Sequence, residues 1–261
     1  MHTFHTYEHG ALKQRQGRIV EEFPLVLHVN GREIATLIAS PHELRYLVAG
    51  FLRLQGFVST VEDFHLLSVC DDYGIANVRI KGELPERLKP VLTSGCGTGI
   101  TFTLPGEPAG EASAGVSASS VAPAAIFRLM EELAKRTDNY RSHGGIHSAA
   151  VGDAEGAIIL STEDIGRHNT LDRIAGESLL KGIDLRGKLL VTSGRVSSEM
   201  AAKAAHLGIS VLASRTSPTD KAVSICAAGA ITLIGYVRGD RFNVYSHPEQ
   251  LVVAPESVSA P

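Results

Sequence analysis

Two short, mostly apolar runs, FPLVLHV and REIATLIA, flank the polar pair Asn30-Gly31 within residues 23–39, so this stretch predicts a β-hairpin. The spacing then changes. In SPHELRYLVAGFLRLQG, residues 40–56, Leu44, Leu47, Val48, Phe51 and Leu52 share one helical face. Ser40 reads as the N-cap, Pro41 as the first helical residue and Gly56 as the stop. FHLLSVC and IANVRI predict two further strands, the first ending on Cys70, which reads as a small buried hydrophobe. From Ile19 to about Arg87 the chain therefore reads as a hairpin-built, β-rich subdomain.

Residues 104–123, LPGEPAGEASAGVSASSVAP, have almost no large apolar side chain and read as a flexible linker or loop. Pro123 then opens an amphipathic helix to about Arg136, with Ile126, Leu129, Met130 and Leu133 on its stripe. From His143 on, strands and helices alternate. GGIHSAAVGD and GAIILSTED read as paired strands, followed by the helix TLDRIAGESLLKG ending at Gly182. KLLVTSG, ISVLASR and ITLIGYV read as strands separated by the helices SSEMAAKAAHLG and PTDKAVSICAAG, the latter capped by Ser217 and Pro218, with Cys226 on its inward stripe. Strands without polar alternation, separated by helices, predict a mainly parallel sheet covered on both faces. The expected organisation is an N-terminal β-rich subdomain with a cysteine loop over 1–103, a linker over 104–123 and an α/β domain over 124–261.

Composition narrows the chemistry. A chain of 261 residues, 44% hydrophobic, has enough apolar material for a proper core. Its net charge of −3 argues against bulk attraction to nucleic acid or acidic membranes. The N-terminus lacks the apolar core of a signal peptide, and no run approaches the ~20 apolar residues of a membrane span. These features predict a cytoplasmic protein. Three cysteines, an odd number, fit reduced thiols better than a disulfide framework.

Ligands of α/β sheets bind where strand C-termini meet helix N-termini, because free backbone N–H groups and the helix dipole favour anions there. This chain places an arginine at three such junctions: Arg167 in EDIGRHN, Arg195 in TSGRVSS and Arg215 in ASRTSP. Hydroxyls, amides or glycines accompany each, Ser193 among them, and His168 follows Arg167 at a helix start. The three together predict a phosphate-bearing ligand. No P-loop and no GxGxxG after a strand is present, which removes support from ordinary ATP hydrolysis and dinucleotide redox chemistry. Of the eleven histidines, His143 and His147 are four apart, but the glycines between them spoil helical metal-binding geometry. HSA and SPTDK stand where a zinc deaminase would need H-x-E and P-C-x-x-C, so no metal site is expected.

Cys96 stands among small residues in VLTSGCGTGITF. Flanking glycines leave the sulfur open and free backbone N–H groups to stabilise negative charge, which suits thiolate chemistry.

Taken together, FPLVLHVNGREIATLIASPHELRYLVAGFL, TSGCGTG, GGIHSAA, EDIGRHNTLDRIAG, LLVTSGRVSSEMAAKAA and GYVRGDRFNVYSHPEQL resemble the FdhD family, the formate dehydrogenase accessory sulfurtransferases. The resemblance implies a cytidine-deaminase-like α/β fold, a three-layer sheet with helices on both faces, without the deaminase zinc ligands. It also implies a sulfur carrier. Sulfur would be taken as persulfide from a cysteine desulfurase onto Cys96 and passed to the molybdenum or tungsten bis-guanine-dinucleotide cofactor, activating formate dehydrogenase. The guanine-nucleotide site would fall on Phe242, Asn243, Val244, Tyr245, Ser246 and His247, where Phe242 and Tyr245 stack on a base and His247 reaches a phosphate. A homodimer is implied as well. Many members carry a second loop cysteine; here Gly99 occupies its position. That difference motivates an alternative, a chaperone that holds the cofactor without carrying sulfur. A hydrolase or deaminase on the same fold would require zinc.

Overall fold

The computed structural model describes residues 1–84, 90–92, 100–102, 120–137 and 144–252. Before the predicted hairpin comes one that the sequence pattern did not reveal: β1 (His2–Glu8) and β2 (Ala11–Gly17) pair antiparallel. His9 and Gly10, both at positive φ, turn the chain between them. Neither strand buries a residue, so no hydrophobic alternation announced them.

β3 (Phe23–Val29) and β4 (Arg32–Ala39) form the expected Asn30-Gly31 hairpin, and β5 (Phe64–Cys70) and β6 (Ile75–Ile80) complete a four-stranded sheet in the order β4-β3-β6-β5. Leu25, Leu27 and Val29 face the helix α1 (Leu44–Leu54), which buries Leu44, Leu47, Val48, Phe51 and Leu52 against them. The helix starts later than its pattern implied. Its N-cap is Glu43, and Ser40 instead joins the contact with the second half of the molecule: its N–H donates to Asp164 Oδ2 at 3.2 Å, and its hydroxyl accepts from the Ile165 N–H. Cys70 also departs from expectation. It lies on the side of β5 turned away from α1 and is exposed. Two short strands, β7 (Pro90–Leu92) and β8 (Ile100–Phe102), pair antiparallel.

The C-terminal half is built on a six-stranded sheet. After α2 (Pro123–Arg136) come β9 (His147–Gly152), β10 (Ile158–Asp164), α3 (Arg167–Lys181), β11 (Leu189–Thr192), α4 (Ser198–His206), β12 (Val211–Ser214), α5 (Asp220–Ala228), β13 (Thr232–Arg238) and β14 (Arg241–Ser246). The order is β10-β9-β11-β12-β13-β14. Only β11/β12 and β12/β13 are parallel, so the mainly parallel sheet expected from the apolar strands is a mixed one. The reason is connection length: β9–β10 and β13–β14 are joined by turns too short for a crossover helix.

Alternate sheet residues feed two cores. Ala149, Val151, Leu190 and Leu212 pack with Leu171, Ile174, Met200 and Ala204 of α3 and α4. Ala150, Leu189, Val191 and Val211 pack with Ile126, Leu129 and Leu133 of α2. Helices thus cover both faces, as expected. Cys226 is fully buried on α5, and burial pushes its thiol up to about 12. The cap of α5 is Thr219, whose hydroxyl accepts from the Ala222 N–H, and not Ser217. Of the predicted linker only Ser120 to Pro123 lies within the described residues, and there Val121 is buried and bridges to Leu251.

α1 and α3 bind the two sheets together, and two glycines set their separation. A Cβ on Gly50 would lie 1.6 Å from the Asp172 carbonyl oxygen, and one on Gly176 would lie 1.9 Å from that of Tyr46. Beside this crossing, the fully buried Asp164 receives Nε and a terminal nitrogen of Arg173 at 2.8 and 2.7 Å, while Arg173 also donates to the carbonyls of Ser40 and His42. No helix among the described residues is long and apolar enough to cross a membrane.

Candidate functional site

The sequence-predicted residues fall into three groups. Cys96, with Gly99, lies in residues 93–99, outside the described residues; the Leu92↔Ile100 pair of the β7/β8 ladder brackets that segment.

The second group is the set of arginine junctions, and their loops are contiguous. Parallel strands β11 and β12 end side by side, which brings the loop of residues 193–197 against that of residues 215–219. The Arg215 N–H donates to the Thr192 carbonyl, Val196 N–H to the Ser217 carbonyl, Thr219 N–H to the Val196 carbonyl, and Ser214 Oγ to the Gly194 carbonyl at 2.7 Å. α3 begins on the other side of the same loop. A Cβ on Gly194 would meet Arg167 Cβ at 2.9 Å and His147 Nδ1 at 3.2 Å, so glycine here lets Arg167 and His147 approach the backbone. Ser193 Oγ accepts from the Ser148 N–H at 2.9 Å and lies 3.5 Å from His147 Nδ1. Arg195 and Arg215 are exposed, whereas Arg167 and His168 are buried. The N-termini of α3, α4 and α5 therefore open near one end of the sheet, with Arg167 beneath and two solvent-facing arginines at its rim. Such an end favours anions.

Two histidines beside Arg167 feel this surrounding. Burial, with the Arg167 charge, lowers His147 below the ordinary imidazole range. Burial also lowers His168, to about 4, against the attraction of Glu199 and with Lys203 and Arg167 pushing the same way. His147 was read in the sequence only as a failed metal ligand. Its place beside Arg167 follows from the antiparallel pairing of β9 with β11, which residue spacing does not encode.

The third group, Phe242 to His247, is split by its own strand. Residues along β14 alternate between faces. Phe242 and Val244 pack on the α2 side, where the Phe242 ring lies 5.2 Å from that of Phe127. Asn243 and Tyr245 point the other way; Asn243 is level with Gly235, and a Cβ on Gly235 would lie 3.0 Å from the Tyr245 ring, the Thr216 carbonyl and Pro218. Phe242 and Tyr245 thus cannot stack on one base in this arrangement. Ser246 is a buried structural residue, bonding Leu233 N–H and the Ile231 carbonyl. His247 sits at the far end of α5, with Nε2 2.9 Å from the Ala227 carbonyl and Nδ1 2.9 Å from Glu249. Phosphate contact by His247 is therefore not supported at the arginine junction. Tyr236 was missed: it is 41% exposed, holds positive φ, and its N–H donates to the Thr216 carbonyl of the junction. A strained aromatic in a strand is legible only from the backbone.

Both ring nitrogens of His247 face acceptors, which only the imidazolium satisfies at once, and its pKa is raised, first by the Ala227 carbonyl and then by Glu249. The stabilisation is present below the ordinary value and is lost as pH rises through the raised one. In an NMR titration His247 is expected to titrate above the ordinary imidazole value, and Glu249→Gln to lower its midpoint; a midpoint unmoved by that substitution would contradict the pairing.

The family model described as FdhD/NarQ family matches residues 20–252. The sulfur carrier protein FdhD of Bacillus subtilis (strain 168) is 37% identical over 251 residues, covering 94% of both chains. That of Staphylococcus haemolyticus (strain JCSC1435) is 36% identical over 249 residues, again with 94% of each covered. Among solved structures, a protein named as a formate dehydrogenase accessory protein from Desulfotalea psychrophila has the same fold, with a TM-score of 0.76 at 24% identity over 97% of this chain and 98% of that one. On the extent of these matches, the chain belongs to the FdhD/NarQ family.

Proposed function

We propose that this protein is a sulfur carrier that loads sulfur on Cys96 and delivers it to a phosphate-bearing molybdenum or tungsten cofactor during maturation of a formate dehydrogenase. The observation that carries the reading is the family match across residues 20–252, which spans both the Cys96 segment and the arginine junction. The relatives' name, sulfur carrier protein, supports the general role. The cofactor, the desulfurase and the use of Cys96 are what the resemblance to the family implies, and the open glycine setting of Cys96 suits that use.

The Cys96 thiolate attacks the terminal sulfur of a desulfurase persulfide, forming a new persulfide on Cys96 and releasing the desulfurase thiolate. At the cofactor, the terminal sulfur leaves Cys96 as the metal's sulfido ligand. A reduced metal centre supplies the electron pair, and Cys96 departs as thiolate. One thiol is enough for this sequence. Arg167, His168, Ser193, Arg195 and Arg215 are assigned to the phosphates, with Asn243 and Tyr245 beside them for the base. Residues Phe242, Val244, Ser246 and His247 are assigned to holding β14 in place.

The test is reconstitution of an inactive formate dehydrogenase produced in the absence of this protein. Activation is expected only when the protein, a cysteine desulfurase and free cysteine are all present. Activation without any sulfur source would favour the cofactor chaperone, the reading that Gly99 motivates.

A further inference from the structure

Behind the arginine junction His168 meets three ionisable side chains, Glu199, Lys203 and Asp172, that the phosphate argument does not use. α4 turns Glu199 and Lys203 toward α3, and its N-cap Ser197 faces the same way. His168 Nε2 is 3.2 Å from Ser197 Oγ and 3.3 Å from Glu199 Oε2. Lys203 Nζ lies 3.7 Å from Glu199 Oε1 and donates to both carboxylate oxygens of Asp172, at 2.8 and 2.9 Å. None of these four ionisable side chains is more than 12% exposed, so solvent screens them weakly.

A buried ion cluster is a costly way to pack two helices, since apolar side chains of similar volume do it at least as well. Its position suggests what it serves. His168 is the second residue of α3, next to Arg167, and His147 of β9, itself in the field of Arg167 and Asp164, lies near both. Without an anion, burial together with the Lys203 and Arg167 charges outweighs Glu199 and holds the ring neutral at neutral pH. An anion against Arg167 offsets that cation and adds its own attraction. The ring then lies between two negative groups, the ligand on one side and Glu199 on the other, an arrangement that favours the imidazolium.

We propose that Glu199 is a positioning residue of the junction: its carboxylate, 3.3 Å from His168 Nε2, enables that imidazole to take up a proton when a phosphate group binds against Arg167. Lys203 and Asp172 hold Glu199 in that position. The proton comes from solvent, an N–H bond forms on the ring, and no other bond changes. Phosphate binding then gains a second, protonation-dependent cation beside the permanent one on Arg167. The inference rests on the reading of the junction as a phosphate site.

Calorimetry of the full chain with guanosine diphosphate, and separately with inorganic pyrophosphate, in buffers of different ionisation enthalpy measures proton uptake on binding. The ligand's own protonation is common to all variants, so the difference between variants reads the protein. Wild type is expected to take up more protons than Glu199→Gln and to bind about tenfold tighter near pH 6, with the gap narrowing by about pH 7.5. Glu199→Asp should recover part of both. His168→Gln serves as a second variant, expected to lose the same uptake while leaving Glu199 in place. Equal uptake in wild type and Glu199→Gln overturns the inference and assigns the proton elsewhere, His147 being the nearest alternative. Binding of either probe with no Glu199-dependent uptake overturns this inference alone. No binding of either probe overturns it together with the phosphate reading.

Discussion

Replacing Cys96 by alanine is expected to reduce activation of a formate dehydrogenase to the level seen without the carrier, while guanosine diphosphate still binds. The loss should be complete because no other thiol is suited to the task. Position 99, three residues after Cys96, is glycine, so the segment 93–99 offers no second thiol. Cys226 is fully buried and its thiol is pushed up to about 12, so it supplies almost no thiolate at neutral pH. Cys70 is exposed, but on the outer side of the N-terminal sheet, and Cys70→Ser is expected to leave activation unchanged. Nucleotide binding should survive because the junction is built from the ends of β11 and β12 and the starts of three helices, none of which includes Cys96. A chaperone without sulfur chemistry would instead keep both activities in the Cys96→Ala protein. An activation assay run beside calorimetry separates the two.

The second large effect concerns stability. Gly176→Ala places a methyl group 1.9 Å from the Tyr46 carbonyl oxygen and 2.6 Å from the Gly50 nitrogen, both backbone atoms of a packed helix. Neither can move aside as a flexible side chain could. α1 and α3 must therefore separate, which also strains the Asp164–Arg173 contacts alongside. The expected cost is about 3 kcal/mol or more, near the top of what overpacking produces. In a chain of this size that lowers Tm by roughly 10 °C. Gly182→Ala at the end of the same helix is the control. Gly182 has φ of +67° and nothing within 4 Å of its added Cβ, so the cost there is the backbone conformation alone, about 1 kcal/mol. Thermal unfolding of the two variants checks the comparison; equal losses would contradict the close helix crossing.

That crossing shows where sequence reading stops. The α1 stripe of Leu44, Leu47, Val48, Phe51 and Leu52 was legible because its repeat matches a helix lying on a sheet. Gly50, on another face, looks like a weak point in a helix until α3 arrives against it, and that partner lies more than a hundred residues away. Glu199 and Lys203 were hidden for a similar reason. Their i, i+4 spacing reads as an ordinary solvated pair, and only Asp172 and His168, from a different helix, turn it into a buried cluster. Ser40 followed by proline has the local chemistry of a cap, yet a buried carboxylate on another strand recruits it instead.

The candidate site divides along the same line. Arg167, Arg195 and Arg215 were found because strand-to-helix junctions follow from local pattern, and parallel pairing of β11 with β12 joins two of their loops. The sequence FNVYSH gave the right strand but the wrong geometry. Two aromatics three residues apart fall on opposite faces of β14, and Phe242 is taken up by Phe127. The exposed β1–β2 hairpin left no apolar rhythm to read, since it buries nothing.

The central claim is that Cys96 carries sulfur, and intact-protein mass spectrometry tests it most directly. The wild-type protein and Cys96→Ala are incubated side by side with an active cysteine desulfurase and free cysteine, then measured with and without a reductant. The account predicts a gain of one sulfur mass on the wild type, removed by the reductant and never present on the variant. No Cys96-dependent gain, with the desulfurase shown to be active on another acceptor, would contradict it.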